Sequence, residues 1–336
     1  LVIIAKGLYP ITFRTRKSSL SAPMVLCLKT WKSRTLPGLH SMKNLIIVTG
    51  GAGFIGSNLI RLLLKKTKKN IISIDNYSSG SANNHTKNKR VKYIKGSTTD
   101  INVLLSKYKK KINSLFHFGE FSRIYQSFKN FDKCYESNSI GSKSVFKFCL
   151  DNNIKLIYSA TSASLGNLGN DKNLSPYAFT KSKNLELLEN LKKWFKFKFE
   201  IVYFYNVYGK GQIEIGSMAT VIGIFENCYK RKIPLTIVSP GTQTRRFTHV
   251  NDTIETCYEA WKKSKCRHYS ISHKKSYSII QVAKMFKTRT IFLKSREGER
   301  YASKLTKFSN NNKIIRRFGK ISLKDYISSF IKGQNL

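Results

Sequence analysis

Acidic residues are scarce in this chain of 336 residues: 18 Asp and Glu stand against 61 Lys and Arg, for a net charge of +43. Such a charge can favour binding to a nucleic acid, a membrane surface or anionic metabolites. The lysines are spread along the whole chain, however, and no short segment has the pattern of a zinc finger or an RNA-recognition motif. We therefore expect no specific nucleic-acid partner, and nucleic-acid binding stays the alternative that the charge alone suggests.

Long apolar runs and paired cysteines are also missing. No stretch reaches the roughly 18 consecutive apolar residues that cross a bilayer, so the pattern does not favour a membrane protein. The six cysteines are scattered, none of them in a Cys-x-x-Cys pair, and the six histidines do not cluster with them. This distribution favours reduced thiols in a cytoplasmic protein and predicts no metal site.

Residues 1–41 differ from the rest, since they contain no Asp or Glu and have no sustained hydrophobic period. They have the basic, acid-poor character of a leader segment. The alternative is that translation starts at Met42, directly before a strand-like run, and that the preceding text is not native. We favour the second interpretation and expect residues 1–41 to lie outside the fold.

After Met42, short apolar runs alternate with longer amphipathic stretches. Such alternation predicts an α/β fold with a parallel sheet that is covered by helices on both faces. The expected strands are 45–49, 71–74, 91–94, 114–118, 155–159 and 201–205. Helices are expected near 55–66, 101–109, 130–151, 176–195, 218–231, 252–264 and 278–286.

The first strand is followed by "TGGAGFIGS", in which Gly50, Gly53 and Gly56 form a Gly-x-x-Gly-x-x-Gly pattern. Glycines at a strand-to-helix turn let the backbone approach a pyrophosphate, and the helix N-terminus offers free N–H groups to it. Asp75 ends the second strand, where a carboxylate accepts hydrogen bonds from ribose hydroxyls and repels a 2′-phosphate. This context predicts a Rossmann-type doubly wound sheet that binds NAD rather than NADP. A glycine turn that only packs helix on strand is the alternative.

The segment "SPYAFTK" places Tyr177 and Lys181 four residues apart, on one face of an expected helix. An ammonium beside a phenol favours the phenolate, which can act as a base. The same spacing occurs at 125/129 and 258/262, so the pair alone proves nothing. Only Tyr177 follows a Ser-Pro helix start, downstream of the fifth strand. A surface helix pair is the alternative to a catalytic one.

Together these motifs resemble the extended short-chain dehydrogenase/reductases, specifically the NAD-dependent nucleotide-sugar epimerases and dehydratases. The resemblance covers about residues 43–330. It is carried by the glycine turn, the Tyr/Lys pair and the segments "LFHFG" (115–119), "NSIGS" (138–142), "YSATSASLG" (158–166), "FYNVYG" (204–209), "GTQTRRFTHVND" (241–252) and "REGE" (296–299). It implies an NAD-binding domain at 42–209 and a smaller, interleaved substrate-binding lobe mainly at 210–336, with 241–264 returning to the first domain.

The resemblance also implies which residues form the site. The expected catalytic residues are Thr161, Tyr177 and Lys181. Cofactor contacts are expected from Gly50, Gly53, Phe54, Ile55, Gly56, Asp75, Asn76, Ser79, Gly80, Ser97, Phe118, Gly119 and Asn138, together with Tyr177 and Lys181. Substrate contacts are expected from Glu120, Ser122, Arg123, Thr161, Asn206, Arg245 and Arg296, the last two on the substrate diphosphate.

The implied reaction is NAD-dependent epimerisation of a nucleotide-diphosphate sugar through a transient keto sugar, as in UDP-glucose 4-epimerase, by a homodimer. Ser162 and Ala163 follow Thr161, where family members that eliminate water carry an acid, and this favours epimerisation. A dehydratase or reductase of the same family stays open. A non-catalytic NAD-binding regulator is also open, because Ser97 stands where Asp is frequent and Glu120 where a small residue is usual. Glu120 then either reads the substrate or is merely solvated.

Overall fold

An eight-stranded parallel sheet lies at the centre of the computed structural model, which describes residues 43–164, 172–296 and 314–334. The strands of the described chain are β1 (Leu45–Thr49), β2 (Asn70–Asp75), β3 (Val91–Lys95), β4 (Ile112–His117), β5 (Lys155–Thr161), β6 (Phe199–Phe204), β7 (Val207–Tyr208), β8 (Leu235–Val238), β9 (Thr244–Arg246), β10 (Thr248–His249), β11 (His268–Ser272), β12 (Ser276–Ser278), β13 (Thr290–Leu293) and β14 (Ile314–Phe318).

The α-helices of the same residues are α1 (Phe54–Lys66), α2 (Ile101–Leu104), α3 (Ile124–Lys129), α4 (Phe131–Tyr135), α5 (Ser142–Asp151), α6 (Pro176–Phe195), α7 (Val221–Lys230), α8 (Val250–Lys263), α9 (Ile279–Met285) and α10 (Leu323–Gln334). A π-helical segment, Glu136–Gly141, joins α4 to α5. Among the described residues, no helix is long and apolar enough to cross a membrane.

The sheet has the strand order β14-β11-β6-β5-β4-β1-β2-β3, and every neighbouring pair is parallel. The chain runs outward in one direction from β1 to β3 and in the other from β4, so the order reverses between β1 and β4. In doubly wound sheets, ligands bind in the crevice at the carboxyl ends of the strands at such a reversal. The predicted Rossmann-type fold is confirmed.

The strands are parallel and buried because their side chains serve two cores. In β1 the side chains of Leu45 and Ile47 pack into one apolar cluster, and those of Ile46 and Val48 pack into another on the opposite face. Since successive side chains of a strand point to opposite faces, a continuous apolar run requires helices on both. Helices α1 and α8 cover one face, and α5 and α6 cover the other.

The six predicted strands are confirmed to within two residues at each end, and the predicted helix 176–195 matches α6. Two helix predictions need correction. The segment 101–109 contains only the short α2 followed by a 3-10 turn, and 130–151 is broken by the π-helical segment. At Gly141 a Cβ would overlap Oγ1 of Thr98, so close packing holds the backbone there in its position.

The later part of the chain supplies a smaller body with its own core, which includes Phe225, Leu235 and Phe286. It contains the two-stranded pairings β8 with β13 and β9 with β12. Strands β11 and β14 nevertheless join the large sheet, so the sheet extends further along the chain than the predicted return at 241–264. The boundary at 209/210 stays a prediction. The expectations for residues 1–41 and for 297–299 fall outside the described residues.

Candidate active site

The glycine turn is held in a backbone conformation that larger residues would disturb. Gly50 has φ +72°, and a Cβ atom there would lie 2.8 Å from the backbone nitrogen of Gly119. A Cβ on Gly56 would overlap the carbonyl oxygen of Gly50. Gly53 precedes α1 and donates its N–H to that same oxygen at 3.1 Å. Phe54 and Ile55 then begin α1, half-buried, so the helix N-terminus follows the turn directly.

Asp75 lies beside this turn at the end of β2. Its carboxylate accepts hydrogen bonds from the backbone N–H groups of Ala52 (2.9 Å) and Tyr77 (2.8 Å). Burial raises the pKa of Asp75, and these two hydrogen bonds act in the opposite direction. The next residue, Asn76, is exposed, as is Ser79, and a Cβ on Gly80 would lie 3.0 Å from a carboxylate oxygen of Asp75.

These features fit a dinucleotide. The Cβ-free turn and the N-terminus of α1 suit a pyrophosphate, and the carboxylate at the end of β2 suits ribose hydroxyls. The hydroxyl of Ser97 accepts from the N–H of Thr99 at 3.3 Å and caps a 3-10 turn, and the contact of Ser97 with the cofactor stays a prediction.

Asn138 organises the segment after β4. Its side-chain oxygen accepts from the N–H of Phe121 at 2.7 Å, and its amide donates to the carbonyl of Phe121 at 3.1 Å. The amide also reaches Oγ1 of Thr180 on α6 at 3.3 Å. Phe118, just upstream, packs edge-to-face on Phe204. The contacts of Asn138 thus give it a positioning role between the segment after β4 and α6.

The expected catalytic residues come from two neighbouring elements. Thr161 ends β5, and Tyr177 lies in the first turn of α6, where the hydroxyl of Ser175 caps the helix by accepting from the N–H of Ala178 at 3.1 Å. The side chain of Tyr177 shares a small buried cluster with Ala163, two residues after Thr161. The fold therefore brings the loop after β5 next to the tyrosine.

Lys181 forms a buried ion pair with Glu120. Its ammonium donates to Oε2 of Glu120 and, at 2.6 Å, to the carbonyl of Ser159. It also lies 4.7 Å from the ring centroid of Tyr158. The side chains of Glu120 and Lys181 are 2% and 5% exposed. The interpretation of Glu120 as a solvated residue is therefore wrong.

The other carboxylate oxygen of Glu120 has three further donors. It accepts from the hydroxyls of Ser142 (2.9 Å) and Tyr158 (3.0 Å) and from the amide of Asn184 (3.2 Å). Sequence reasoning missed this network. The available signal was the unusual acid at position 120 together with Asn184, which lies three residues after Lys181 on the same helix.

The residues expected to contact substrate come from several separate elements. Arg296 is exposed, and its guanidinium lies 5.1 Å from the ring centroid of Tyr125 on α3. The same helix approaches the catalytic residues, because the hydroxyl of Ser127 accepts from the N–H of Tyr177 at 3.2 Å. The side chain of Arg296 and the backbone of Tyr177 therefore both contact helix α3.

The other expected substrate residues make contacts with the protein itself. Arg123 donates twice to the carbonyl of Met218 (2.9 and 2.6 Å), and the amide of Asn206 donates to the carbonyl of Arg246 at 2.9 Å. The guanidinium of Arg245 is buried and donates to the carbonyl of Thr244 at 2.9 Å. Ser122 is exposed.

Residues 46–272 match the family model described as the NAD dependent epimerase/dehydratase family. The chain belongs to this family. Its cofactor is therefore NAD, which agrees with the glycine turn and the carboxylate of Asp75.

Individual members of the family are similar at low identity. A putative UDP-glucose 4-epimerase of Methanocaldococcus jannaschii is 27% identical over 273 residues, which are 76% of this chain and 88% of that protein. An ADP-L-glycero-D-manno-heptose-6-epimerase of Brachyspira hyodysenteriae is 30% identical over 226 residues, 62% of this chain and 70% of that one. The crystal structure of UDP-glucuronic acid 4-epimerase from Bacillus cereus, in complex with UDP-glucuronic acid and NAD, superposes with a TM-score of 0.73 at 25% identity. It covers 87% of this chain and 99% of that chain.

Proposed function

We propose that this protein is an NAD-dependent epimerase that inverts a ring carbon of a nucleotide-diphosphate sugar through a transient keto sugar. The single observation that supports this most is the shared cluster of Tyr177 and Ala163, which brings the base and the Thr161 loop together. The 4-epimerases among the similar proteins support the same reaction class. Membership of the family indicates an epimerase or a dehydratase, and the choice of epimerisation is our proposal.

When bound, NAD would supply a reversible hydride acceptor for the sugar carbon. The protein residues handle the proton and the orientation. Tyr177, as phenolate, removes the proton of the sugar hydroxyl and later gives it back, while the hydroxyl of Thr161 donates to the same sugar oxygen. Lys181 lies one helical turn from Tyr177 and is proposed to favour the phenolate through its positive charge. Gly50, Gly53, Gly56 and Asp75 hold the dinucleotide.

Two features favour epimerisation over loss of water. Elimination needs an acid or base close to the sugar carbon that loses its proton, and the two positions after Thr161 are Ser162 and Ala163, neither of which is a carboxylic acid. Glu120, the carboxylate on the neighbouring loop, is engaged with Lys181 and three other donors. It has no proton-transfer role in this scheme.

Arg296 is the residue we propose for the substrate diphosphate. Its guanidinium is exposed, lies over Tyr125 and carries the planar donor set that binds two phosphate oxygens at once. Arg245, which is buried in β9, is proposed to bind the same diphosphate. The nucleotide is proposed to be UDP, by similarity to the named UDP-sugar epimerases.

A panel of UDP-, GDP- and ADP-sugars tests the reaction. The full chain is incubated with NAD and each sugar nucleotide, and the products are separated and identified by mass spectrometry and NMR. Epimers of unchanged mass support the proposal. Loss of 18 mass units, equal to one water, would instead indicate a dehydratase, and NAD binding without any product would indicate a regulator.

We also propose a homodimer in the cytoplasm. Phe131 on α4 and Phe179 on α6 are 53% and 41% exposed, and α4 packs on α6, so two packed helices each expose a large apolar side chain. The five cysteines within the described residues are free thiols, as expected in a reducing compartment. Light scattering of the wild type and of Phe179→Glu tests the dimer. A wild type of monomer mass contradicts the dimer, and a Phe179→Glu variant that keeps the dimer mass contradicts this interface.

A further inference from the structure

The carboxylate of Glu120 contacts the ammonium of Lys181, which follows the proposed base Tyr177 by one turn on the same helix. Both side chains are almost fully buried, at 2% and 5% exposure, so solvent and salt screen them little. The carbonyl of Ser159 and the ring of Tyr158 hold the ammonium from two further sides. The two side chains therefore form a buried ion pair whose opposite charges largely cancel.

A relay of hydrogen bonds ties Glu120 to the strand that carries the glycine turn. Oγ1 of Thr49 accepts from the N–H groups of residues 118 and 119, both at 3.1 Å, so its own proton is donated to Nδ1 of His117 at 2.7 Å. The Nε2–H of His117 then donates to Ser142 (3.0 Å), whose proton goes to Glu120 (2.9 Å). Thr49, His117 and Ser142 each donate one proton along this chain of hydrogen bonds, which ends at the carboxylate of Glu120.

We propose that Glu120 is a positioning residue that offsets the charge of Lys181 and thereby sets the pH range in which Tyr177 accepts a proton. This inference rests on the proposed function. An ammonium alone favours a neighbouring phenolate, whereas an ammonium in contact with a carboxylate presents little net charge. The wild type therefore needs a higher pH than a variant in which the carboxylate is replaced by a neutral group.

The other charged and titratable groups around the pair do not compete near neutral pH. Burial lowers the pKa of His117 to about 4 and raises the pKa of Cys134 to about 11. Burial also raises the pKa of Tyr158 well above its usual value. Arg123 faces Tyr177, and although burial lowers its pKa, a guanidinium stays charged at neutral pH. A response near neutrality is thus assignable to the Glu120–Lys181–Tyr177 set.

The variant Glu120→Gln tests this, since it keeps the shape and removes the charge. The pH dependence of kcat/KM is measured, and in parallel the ultraviolet absorbance of phenolate is titrated in the full chain with NAD and no sugar. We expect the acid limb of the rate profile, and the phenolate component that Tyr177→Phe removes, to move down by about one pH unit. Glu136→Gln is the matched control, because Glu136 is exposed, and its curves should superimpose on the wild type.

Curves of Glu120→Gln that superimpose on the wild type, or that move to higher pH, overturn the proposal. Should this variant fail to fold, Glu120→Asp withdraws the carboxylate by one methylene and is expected to give a smaller shift in the same direction. A phenolate shift without turnover of any sugar nucleotide would reject the proposed epimerase and leave the role of Glu120 intact. The substrate-free titration therefore separates the two failures.

Discussion

Gly50 and Gly119 meet backbone against backbone, since a Cβ on Gly50 would lie 2.8 Å from the nitrogen of Gly119. The first residue follows β1 and the second follows β4, the two strands between which the sheet order reverses. The crevice proposed to hold the dinucleotide is therefore closed at its base by two glycines, which meet without side chains between them. A side chain added at this contact would separate the two loops and deform the proposed pyrophosphate site.

The first prediction concerns Gly56→Ala in the same turn. The new Cβ would overlap the carbonyl oxygen of Gly50, and the clash is with backbone that cannot rotate away. We expect a loss of about 2–3 kcal/mol of stability and at least a tenfold weaker affinity for NAD. Thermal unfolding and calorimetric titration with NAD measure the two effects.

Gly333→Ala is the matched control for this substitution. Gly333 is an exposed helical residue with no atom within 4 Å of the added Cβ. Alanine is the better helix former, so stability should be unchanged or slightly higher and NAD affinity unchanged. If Gly56→Ala binds NAD as Gly333→Ala does, the pyrophosphate does not lie in this turn.

The second prediction concerns the proposed base. Tyr177→Phe removes the hydroxyl and keeps the ring in its cluster, so the fold and the NAD site should be preserved. We expect kcat to fall at least 100-fold, the usual scale for loss of a general base. Activity on the preferred sugar nucleotide and NAD affinity are measured together.

Tyr258→Phe provides the control because Tyr258 and Lys262 have the same i, i+4 spacing on α8. The ring of Tyr258 lies 4.9 Å from the ammonium of Lys66, which ends α1, whereas the glycine turn lies at the opposite end of that helix. Its substitution should leave kcat within about twofold. An active Tyr177→Phe enzyme, or equal losses in both variants, would remove Tyr177 from the mechanism.

Local sequence patterns were sufficient to predict the sheet and the glycine turn, because both depend on the preferences of residues that are adjacent in the chain. The run 45–48 is apolar throughout, and a continuous apolar strand requires burial on both faces of the sheet. The start of α6 was equally readable, since Ser175 and Pro176 have strong preferences for the cap and the first turn.

The Glu120–Lys181 pair was not predictable because it is a long-range contact. The two residues are 61 positions apart and meet only when the loop after β4 folds against α6. Sequence spacing carries no information on that distance. The same holds for Asn138, whose partner Phe121 is 17 residues away and whose contacts depend on the π-helical segment. Sequence patterns therefore predict candidate catalytic residues but leave their long-range partners undetermined.

The third prediction concerns Asp75 and pH. Burial raises its pKa in the free protein, so on acidification it takes up a proton at a higher pH than an exposed aspartate does. A protonated carboxyl no longer accepts from both ribose hydroxyls, and we expect NAD affinity to fall as the pH falls through this range. The dissociation constant of NAD as a function of pH measures it.

Asp75→Asn separates this effect from general acid destabilisation. Asparagine keeps one acceptor and cannot titrate, so its NAD affinity should be about tenfold weaker at neutral pH and nearly independent of pH on the acid side. Its discrimination against NADP should also weaken, because the charge that repels a 2′-phosphate is gone. An acid response of Asp75→Asn equal to that of the wild type would assign the effect to another group.

The fourth prediction concerns Arg296. Its guanidinium lies over Tyr125, on the helix whose Ser127 contacts the backbone of Tyr177, so a diphosphate bound there extends toward the base. Arg296→Ala is expected to raise KM for the sugar nucleotide at least tenfold with kcat changed less, because the phosphate is held alike in the ground state and the transition state. Steady-state kinetics of the wild type and variant measure the two constants.

Arg296→Lys and Arg289→Ala complete the test of the diphosphate contact. Lysine keeps the charge and loses the planar pair of donors, so an intermediate KM is expected if binding is bidentate. Arg289 is exposed in the same part of the chain, and its removal lowers the local positive charge by the same amount. A rise in KM for Arg289→Ala equal to that for Arg296→Ala would mean that only the overall positive field attracts the substrate, and that no specific contact exists at position 296.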